Sequence, residues 1–210
     1  TTDADTGSAD AVRIADAPPS ADATVWPVRM YVHSADVLYT VDDATFSLSV
    51  VGGFALAAAE NITDLAVTPD DSIYGISATK LYGVDRTTGA ATYIADVPGA
   101  SNVGLTFLPD GTLLATDQSG GVRRVDPQTG QVIEVGTFGG GFATAGDLVA
   151  VADGTMYAIS DQGPNGNENV NNWLLTVNTE TGVATGVGQI GYGGVFGAAY
   201  ANGKVYAFTR

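Results

Sequence analysis

The chain of 210 residues contains no cysteine, one histidine, and only eight lysine and arginine residues. The absence of cysteine excludes disulfides, thiolate nucleophiles and thiolate metal sites. The basic residues are scattered singly, apart from Arg123-Arg124, so no basic stripe is available for phosphates, which excludes nucleic acid as a partner. No apolar run approaches the length of a membrane-spanning helix, and we predict no transmembrane segment.

Acidic residues outnumber basic ones, with 23 aspartates and glutamates and a net charge of −15. This excess of negative charge favours cations and basic surfaces as partners, but it does not identify a particular partner.

Two short turn patterns each recur four times, at intervals of about 40 to 50 residues. The first is a tight turn that starts a strand, and its copies are Asp70-Asp71-Ser72-Ile73-Tyr74, Asp110-Gly111-Thr112-Leu113-Leu114, Asp153-Gly154-Thr155-Met156-Tyr157 and Asn202-Gly203-Lys204-Val205-Tyr206. The second follows a strand that ends in Val-Asp or Val-Asn, at Val41-Asp42, Val84-Asp85, Val125-Asp126 and Val177-Asn178. Asp and Asn bond their own backbone in turns, so we interpret these residues as turn formers and not as catalysts.

A repeat of this length made of short strands is typical of a β-propeller blade. The sequence therefore predicts an all-β propeller of four-stranded antiparallel blades, with four to five blades, a terminal blade shared by both ends of the chain, and almost no helix. Complete blades are predicted at 64–97, 104–138 and 147–190. Residues 29–53 supply three further strands, and 196–209 supply two.

This count leaves one strand too many, because Arg29 to Ser34 and Lys204 to Thr209 both occupy the second position of the shared blade. Three explanations stay open: the chain is part of a longer propeller, the extra strand is displaced to an edge of a closed ring, or it pairs with another subunit.

Residues 1–28 are rich in Asp, Ala, Ser, Thr and Pro, and we interpret them as an acidic low-complexity arm or tether. Such tails are typical of exported bacterial proteins, so we predict an extracellular or cell-surface location. We further predict that a segment within residues 1–34 pairs with a neighbouring molecule and gives a head-to-tail polymer. The residues predicted for this self-association are Val25, Trp26, Val28, Met30, Val32, Val205 and Phe208.

The turns Leu108-Pro109-Asp110-Gly111-Thr112-Leu113 and Val125-Asp126-Pro127-Gln128-Thr129-Gly130 resemble those of bacterial propellers of the NHL, SMP-30-like and quinoprotein-like superfamilies. The resemblance implies the fold only, since these superfamilies include lactonases, lyases, dehydrogenases and binding modules. It places no active-site residue in this chain.

The sequence contains few residues of the types that usually act in catalysis. The only histidine, His33, aligns with Ile76, Thr116 and Ile159 in other second strands, which favours a packing role. No nucleophile elbow is present. We therefore predict a non-enzymatic structural or binding protein; the alternatives are a ligand- or carbohydrate-binding module and a metal-dependent lyase or lactonase with clustered carboxylates in its central channel.

One insertion interrupts the repeats, at residues 161–172. It offers oxygen ligands of the kind that Ca²⁺ takes, namely Asp161, Asn165, Asn167, Glu168 and Asn169. The insertion predicts either a calcium site or a polar contact surface.

Tyrosines recur at one position of the second strands: Tyr31, Tyr74, Tyr157 and Tyr206. They indicate either packing between blades or a surface that binds glycans.

Overall fold

The computed structural model describes residues 11–16, 29–42, 44–201 and 203–209, with only the backbone described at 11–16 and 168–170. These residues form antiparallel β-sheets and a single 3₁₀ turn at Pro164–Gly166. The predicted all-β fold with almost no helix is confirmed. None of the described helical residues forms a segment long and apolar enough to cross a membrane.

The described strands number eighteen and lie in five sheets. They are β1 (Ala11–Asp16), β2 (Met30–His33), β3 (Val37–Val41), β4 (Leu48–Gly53), β5 (Asp64–Val67), β6 (Ile73–Ile76), β7 (Lys80–Val84), β8 (Ala91–Asp96), β9 (Asn102–Phe107), β10 (Leu113–Asp117), β11 (Gly121–Val125), β12 (Val132–Thr137), β13 (Leu148–Ala150), β14 (Met156–Gln162), β15 (Glu168–Val177), β16 (Ala184–Gln189), β17 (Val195–Ala201) and β18 (Lys204–Thr209).

Three sheets have four strands each, β5–β8, β9–β12 and β13–β16, as predicted for residues 64–97, 104–138 and 147–190. We call them sheets 2, 3 and 4. Sheet 1 has three strands in the order β2-β3-β4, and sheet 5 has three in the order β1-β18-β17. The first strands of sheets 2 to 5 contact one another in succession, so they are the innermost strands of the propeller.

The recurring turns have the chemistry that the sequence predicts. Gly111 and Gly154 adopt positive φ in the turns before the second strands, and in sheet 2 Asp71 does so with φ of 68°. In the turns before the outer strands, Asp85 Oδ1 accepts hydrogen bonds from the backbone N of Thr87 at 2.8 Å and of Thr88 at 2.9 Å. Equivalent bonds recur around Asp126 and Asn178, which accounts for the repeat in the sequence.

The ring closes through sheets 1 and 5, which share an apolar core. Met30 and Val41 of sheet 1 pack there with Ala201 and Tyr206 of sheet 5. The two second strands that the sequence assigns to one blade, β2 and β18, therefore lie in different sheets, and neither is surplus.

The last sheet takes its third strand from the N-terminal part of the chain. Strand β1 pairs antiparallel with β18, with Ala11 opposite Phe208 and Asp16 opposite Lys204. A terminal blade is thus shared by both ends of the chain, as predicted, but the N-terminal contribution is 11–16 and not 29–53. This strand belongs to residues 1–28, whose other residues lie outside the described ones.

Candidate functional site

Two aspartates occupy equivalent positions on innermost strands. Asp64 opens β5 opposite Ile76, and Asp147 directly precedes β13 opposite Ile159. Both are buried, with 5% of Asp64 and 7% of Asp147 exposed. In sheet 3 the equivalent position, opposite Thr116, is Gly104.

Each aspartate connects its own sheet to the next one. Asp64 Oδ1 accepts a hydrogen bond from Leu65 N at 2.7 Å, and Asp64 Oδ2 accepts one from Leu105 N in sheet 3. Asp147 Oδ2 accepts one from Ala198 N in sheet 5. These bonds satisfy backbone N–H groups that would otherwise be buried without a partner.

The two carboxyl groups also interact with each other, and each affects the pKa of the other. Burial raises the pKa of Asp147 to about 7. Burial, followed by the nearby charge of Asp147, raises the pKa of Asp64 well above its usual range. Ionisation of both of two neighbouring buried carboxyl groups is unfavourable, so the pair keeps at least one proton around neutral pH.

This pair was not predicted from the sequence. Its signal was present as the dipeptide Asp-Leu at the start of two equivalent strands, Asp64-Leu65 and Asp147-Leu148. The pair supplies a proton donor and an acceptor, and both groups are buried. Within the described residues, no three His, Asp or Glu side chains lie close enough together to hold a metal ion.

The only histidine lies on β2. His33 Nδ1 is 2.9 Å from the carbonyl oxygen of Ser34, and the ring packs edge-on against Phe54 with centroids 6.3 Å apart. Burial lowers the pKa of His33. These contacts are those of a packed strand residue.

The insertion at 161–172 forms an extension of the β14–β15 hairpin, with Gln162 opposite Glu168. Its tip is held by Asn165, whose backbone N donates to Gly140 O at 2.9 Å and whose φ is 73°. Asp161 is exposed, Asn167 follows the tip, and only the backbone of Glu168 and Asn169 is described. The calcium site stays a prediction.

The residues predicted for self-association fall in two groups. Val25, Trp26 and Val28 lie outside the described residues. Met30, Val32 and Phe208 pack in the core between sheets 1 and 5, and Val205 is buried in a second core with Val149 and Val151. The four described residues therefore contribute to packing within one chain.

The recurrent tyrosines also pack in cores between sheets. Tyr31 is buried beside Phe54 and Ile62, and Tyr206 beside Met30. Tyr74 and Tyr157 pack against two further apolar clusters.

Comparison with protein-family models and with curated proteins gives no match. Many solved structures do match. A structure of the nidogen/laminin complex has a TM-score of 0.61 and 16% identity over 82% of this chain and 66% of that one. Virginiamycin B lyase from Staphylococcus aureus gives 0.53 and 13% over 96% and 67%. A gluconolactonase from Xanthomonas campestris gives 0.53 and 13% over 86% and 68%.

The chain spans about two thirds of the length of these structures, and 61% of a similar structure from Bacteroides caccae. At such identities the likeness concerns the fold alone. The chain is a β-propeller, and its structural neighbours are propellers of the lactonase, lyase and nidogen types.

Proposed function

We propose that this chain is a non-enzymatic, exported propeller that acts at the cell surface by binding a partner. The observation that supports the non-enzymatic part of the proposal is the burial of the two acids on the innermost strands. Asp64 and Asp147 are buried and bonded to the backbone of the following sheets. A catalytic acid or base must lie within hydrogen-bond reach of a substrate, so this pair is better suited to joining sheets than to turnover.

Enzyme assays test the non-enzymatic part of the proposal. The purified protein should show no hydrolysis of lactones and no lyase activity above that of a boiled sample. Turnover above that of the boiled sample would contradict the proposal. If Asp147→Asn then removes the turnover while the protein stays folded by circular dichroism, the acids are catalytic. The surface location is tested by treating intact cells with protease, which should degrade the protein without lysis.

Self-assembly is a second candidate function, and the β1–β18 pairing favours it. The last sheet depends on a strand from the opposite end of the sequence. The same backbone pairing made between molecules exchanges β1 from one propeller to the next, and such head-to-tail contacts form filaments unless they close into a ring. Light scattering at high protein concentration tests it, since exchange predicts a mass that grows with concentration.

A further inference from the structure

An open groove lies between sheets 2 and 3, with a volume of about 730 Å³. On one side are the turns at Asp70–Ser72 and Asp85–Thr87 of sheet 2, and on the other is Gln128 of sheet 3. Tyr74 and Gly83 also line it. This volume lies within the range of ordinary ligand sites, roughly 300 to 1,000 Å³.

The corresponding gap between sheets 3 and 4 contains an arginine of the chain itself. Arg124 is paired with Leu114 in sheet 3, and Gly83 is paired with Tyr74 in sheet 2. Arg124 and Gly83 therefore hold equivalent positions in their sheets. Arg124 Nη2 donates to Glu180 Oε1 of sheet 4 at 2.6 Å. Arg124 Nε is buried, so the side chain lies within the gap before its end reaches Glu180.

Glycine at position 83 is what leaves the first groove open. Glu180 stands two residues after Asn178, and Gln128 stands two residues after Asp126, so they hold the same place in the turns that face the two gaps. Gln128 Nε2 donates to the Tyr74 hydroxyl at 3.5 Å, and both residues line the groove. The first groove therefore retains an acceptor at the position of Glu180 and lacks the arginine.

The charge of the groove suits a cation. Its lining has three carboxylates, Asp70, Asp71 and Asp85, and one guanidinium, Arg86, which already donates to Asp71 Oδ2 at 2.8 Å. The hydrogen bonds of its own turn, with Thr87 first, hold the pKa of Asp85 at about 2, so Asp85 is ionised at physiological pH. The chain as a whole carries −15, which further favours a basic ligand.

We propose that the groove between sheets 2 and 3 binds an arginine side chain supplied by a partner protein, in the position that Arg124 fills within the next gap. The aliphatic part of that side chain would lie over Gly83, and its guanidinium would bond Gln128 and the nearby carboxylates. The aromatic ring of Tyr74 adds a surface that guanidinium groups favour. This proposal rests on the proposed binding function and names the chemistry of one partner group.

The test is a titration of ¹⁵N-labelled protein with the capped peptide acetyl-Gly-Arg-Gly-amide, followed by NMR. Amide signals of Gly83, Thr92 and Gln128 should shift at millimolar peptide. The capped peptide acetyl-Gly-Gln-Gly-amide should cause much smaller shifts, because it lacks the guanidinium.

Three variants make the test specific. Gly83→Arg places an arginine in the groove from within the chain and should abolish the shifts. The backbone accepts a side chain there, since a Cβ at Gly83 would meet nothing nearer than Ile94 Cδ1 at 3.8 Å. Arg124→Gly should open the second gap and add a second set of shifts around Leu114 and Glu180. Gln128→Glu, which reproduces Glu180, should tighten binding by up to about fivefold.

Equal shifts with the arginine and glutamine peptides, or shifts that persist unchanged in Gly83→Arg, would overturn the proposal. Should Gly83→Arg fail to fold, Gln128→Glu and Arg124→Gly still decide it. A neutral oligosaccharide that shifts the same amides more strongly than the peptide would identify a glycan site and overturn the assignment to arginine. None of these outcomes bears on the enzyme assays, so failure of this proposal is distinguishable from failure of the proposed function.

Discussion

The buried carboxyl groups of Asp64 and Asp147 interact with each other although their sheets are not neighbours, since sheet 3 lies between them. Sheet 3 has Gly104 at the equivalent position. A Cβ there would lie 3.0 Å from Gly146 O and 3.1 Å from Leu148 Cγ, on either side of Asp147 in sequence. The missing side chain thus lets sheet 4 approach closely enough for the two acids to meet, and the contact joins alternate sheets.

This acid pair predicts that the protein becomes less stable as the pH rises through neutrality. The pKa of Asp147 is raised from 3.8 to about 7 in the folded state. Because of this raised pKa, the folded state binds more protons than the unfolded state above about pH 4. The contribution of Asp147 to the free energy of unfolding is therefore complete below about pH 4 and is lost as the pH approaches and passes 7. In urea unfolding, Asp147 alone should contribute a loss of about 2–3 kcal/mol between pH 5 and pH 8, and the raised pKa of Asp64 should add to this loss in the same direction.

Asp147→Asn is the matched variant, because its amide can still accept from Ala198 N and donate to Asp64 without a proton to lose. Its free energy of unfolding should vary less between pH 5 and pH 8, by about the share that Asp147 contributes, while the dependence that comes from the buried Asp64 remains. A slope equal to that of the unchanged protein would show that other groups cause the dependence.

The contact between neighbouring sheets predicts a strong effect of one added methyl group. A Cβ at Gly136 on β12 would collide with the backbone carbonyl of Thr181, in the turn of sheet 4. A backbone obstacle cannot swing aside, so Gly136→Ala should force sheets 3 and 4 apart and cost about 1–3 kcal/mol of unfolding free energy. Thermal unfolding measures the effect.

Gly188 on β16 provides the control, because it holds the same position in sheet 4 that Gly136 holds in sheet 3. Gly188 is paired with Leu174, and Gly136 is paired with Val122. No described atom lies within 4 Å of a Cβ at Gly188. Gly188→Ala should be neutral, or slightly stabilising because it restricts the unfolded chain. Equal losses in the two variants would contradict the proposed contact.

The turn repeats predicted much of this fold, because Asp-Gly turns and Asx-type hydrogen bonds are local and leave local sequence patterns. Strand β1 was not predicted, since Ala11–Asp16 lies among Ala, Asp and Pro and its partner β18 is at the far end of the chain. The acid pair was missed for a similar reason. Asp64 and Asp147 are joined only through the arrangement of sheets 2 to 4, which no local pattern reports.

The ion pair between Asp117 and Arg123 predicts sensitivity to acid. Arg123 Nη1 donates to Asp117 Oδ2 at 2.8 Å, with 2% of the Asp117 side chain exposed. Bonds from Ser119, Ala100, Arg123 and Gly121 outweigh the effect of burial and lower the pKa of Asp117 to about 2. The contribution of the ionised Asp117 to the free energy of unfolding is therefore present above about pH 4 and is lost as the pH falls towards 2.

Asp117→Ala leaves the largely buried guanidinium of Arg123 with only Glu134, and should cost about 3 kcal/mol or more at pH 7. Asp110→Ala is the control, because Asp110 is an exposed turn residue with one bond to Thr112 N; it should cost less than about 1 kcal/mol. Urea unfolding at pH 7 compares them. Similar losses would mean that Asp117 acts only as a turn residue.

The insertion at 161–172 retains its prediction of calcium binding. If Asp161 and its neighbours hold Ca²⁺ only in the folded state, calcium at a hundred times its dissociation constant should add about 2.7 kcal/mol of stability. The melting temperature should rise with Ca²⁺ and fall with chelator, and Asp161→Ala should remove the difference. If the melting temperature changes with neither Ca²⁺ nor chelator, the insertion is a polar surface and not a calcium site.

The pairing of β1 with β18 predicts a covalent cross-link that reports whether it forms within or between molecules. The chain has no cysteine, so a pair introduced at Val12 and Ala207, which are opposite each other, is the only thiol pair present. Directly opposed residues of antiparallel strands are within disulfide reach. If strands are exchanged, oxidation at high concentration should give a ladder of multimers on a non-reducing gel, which a thiol reductant collapses. Oxidation that yields only monomers, at every concentration, would show that β1 completes its own propeller and would end the proposal of head-to-tail assembly by strand exchange.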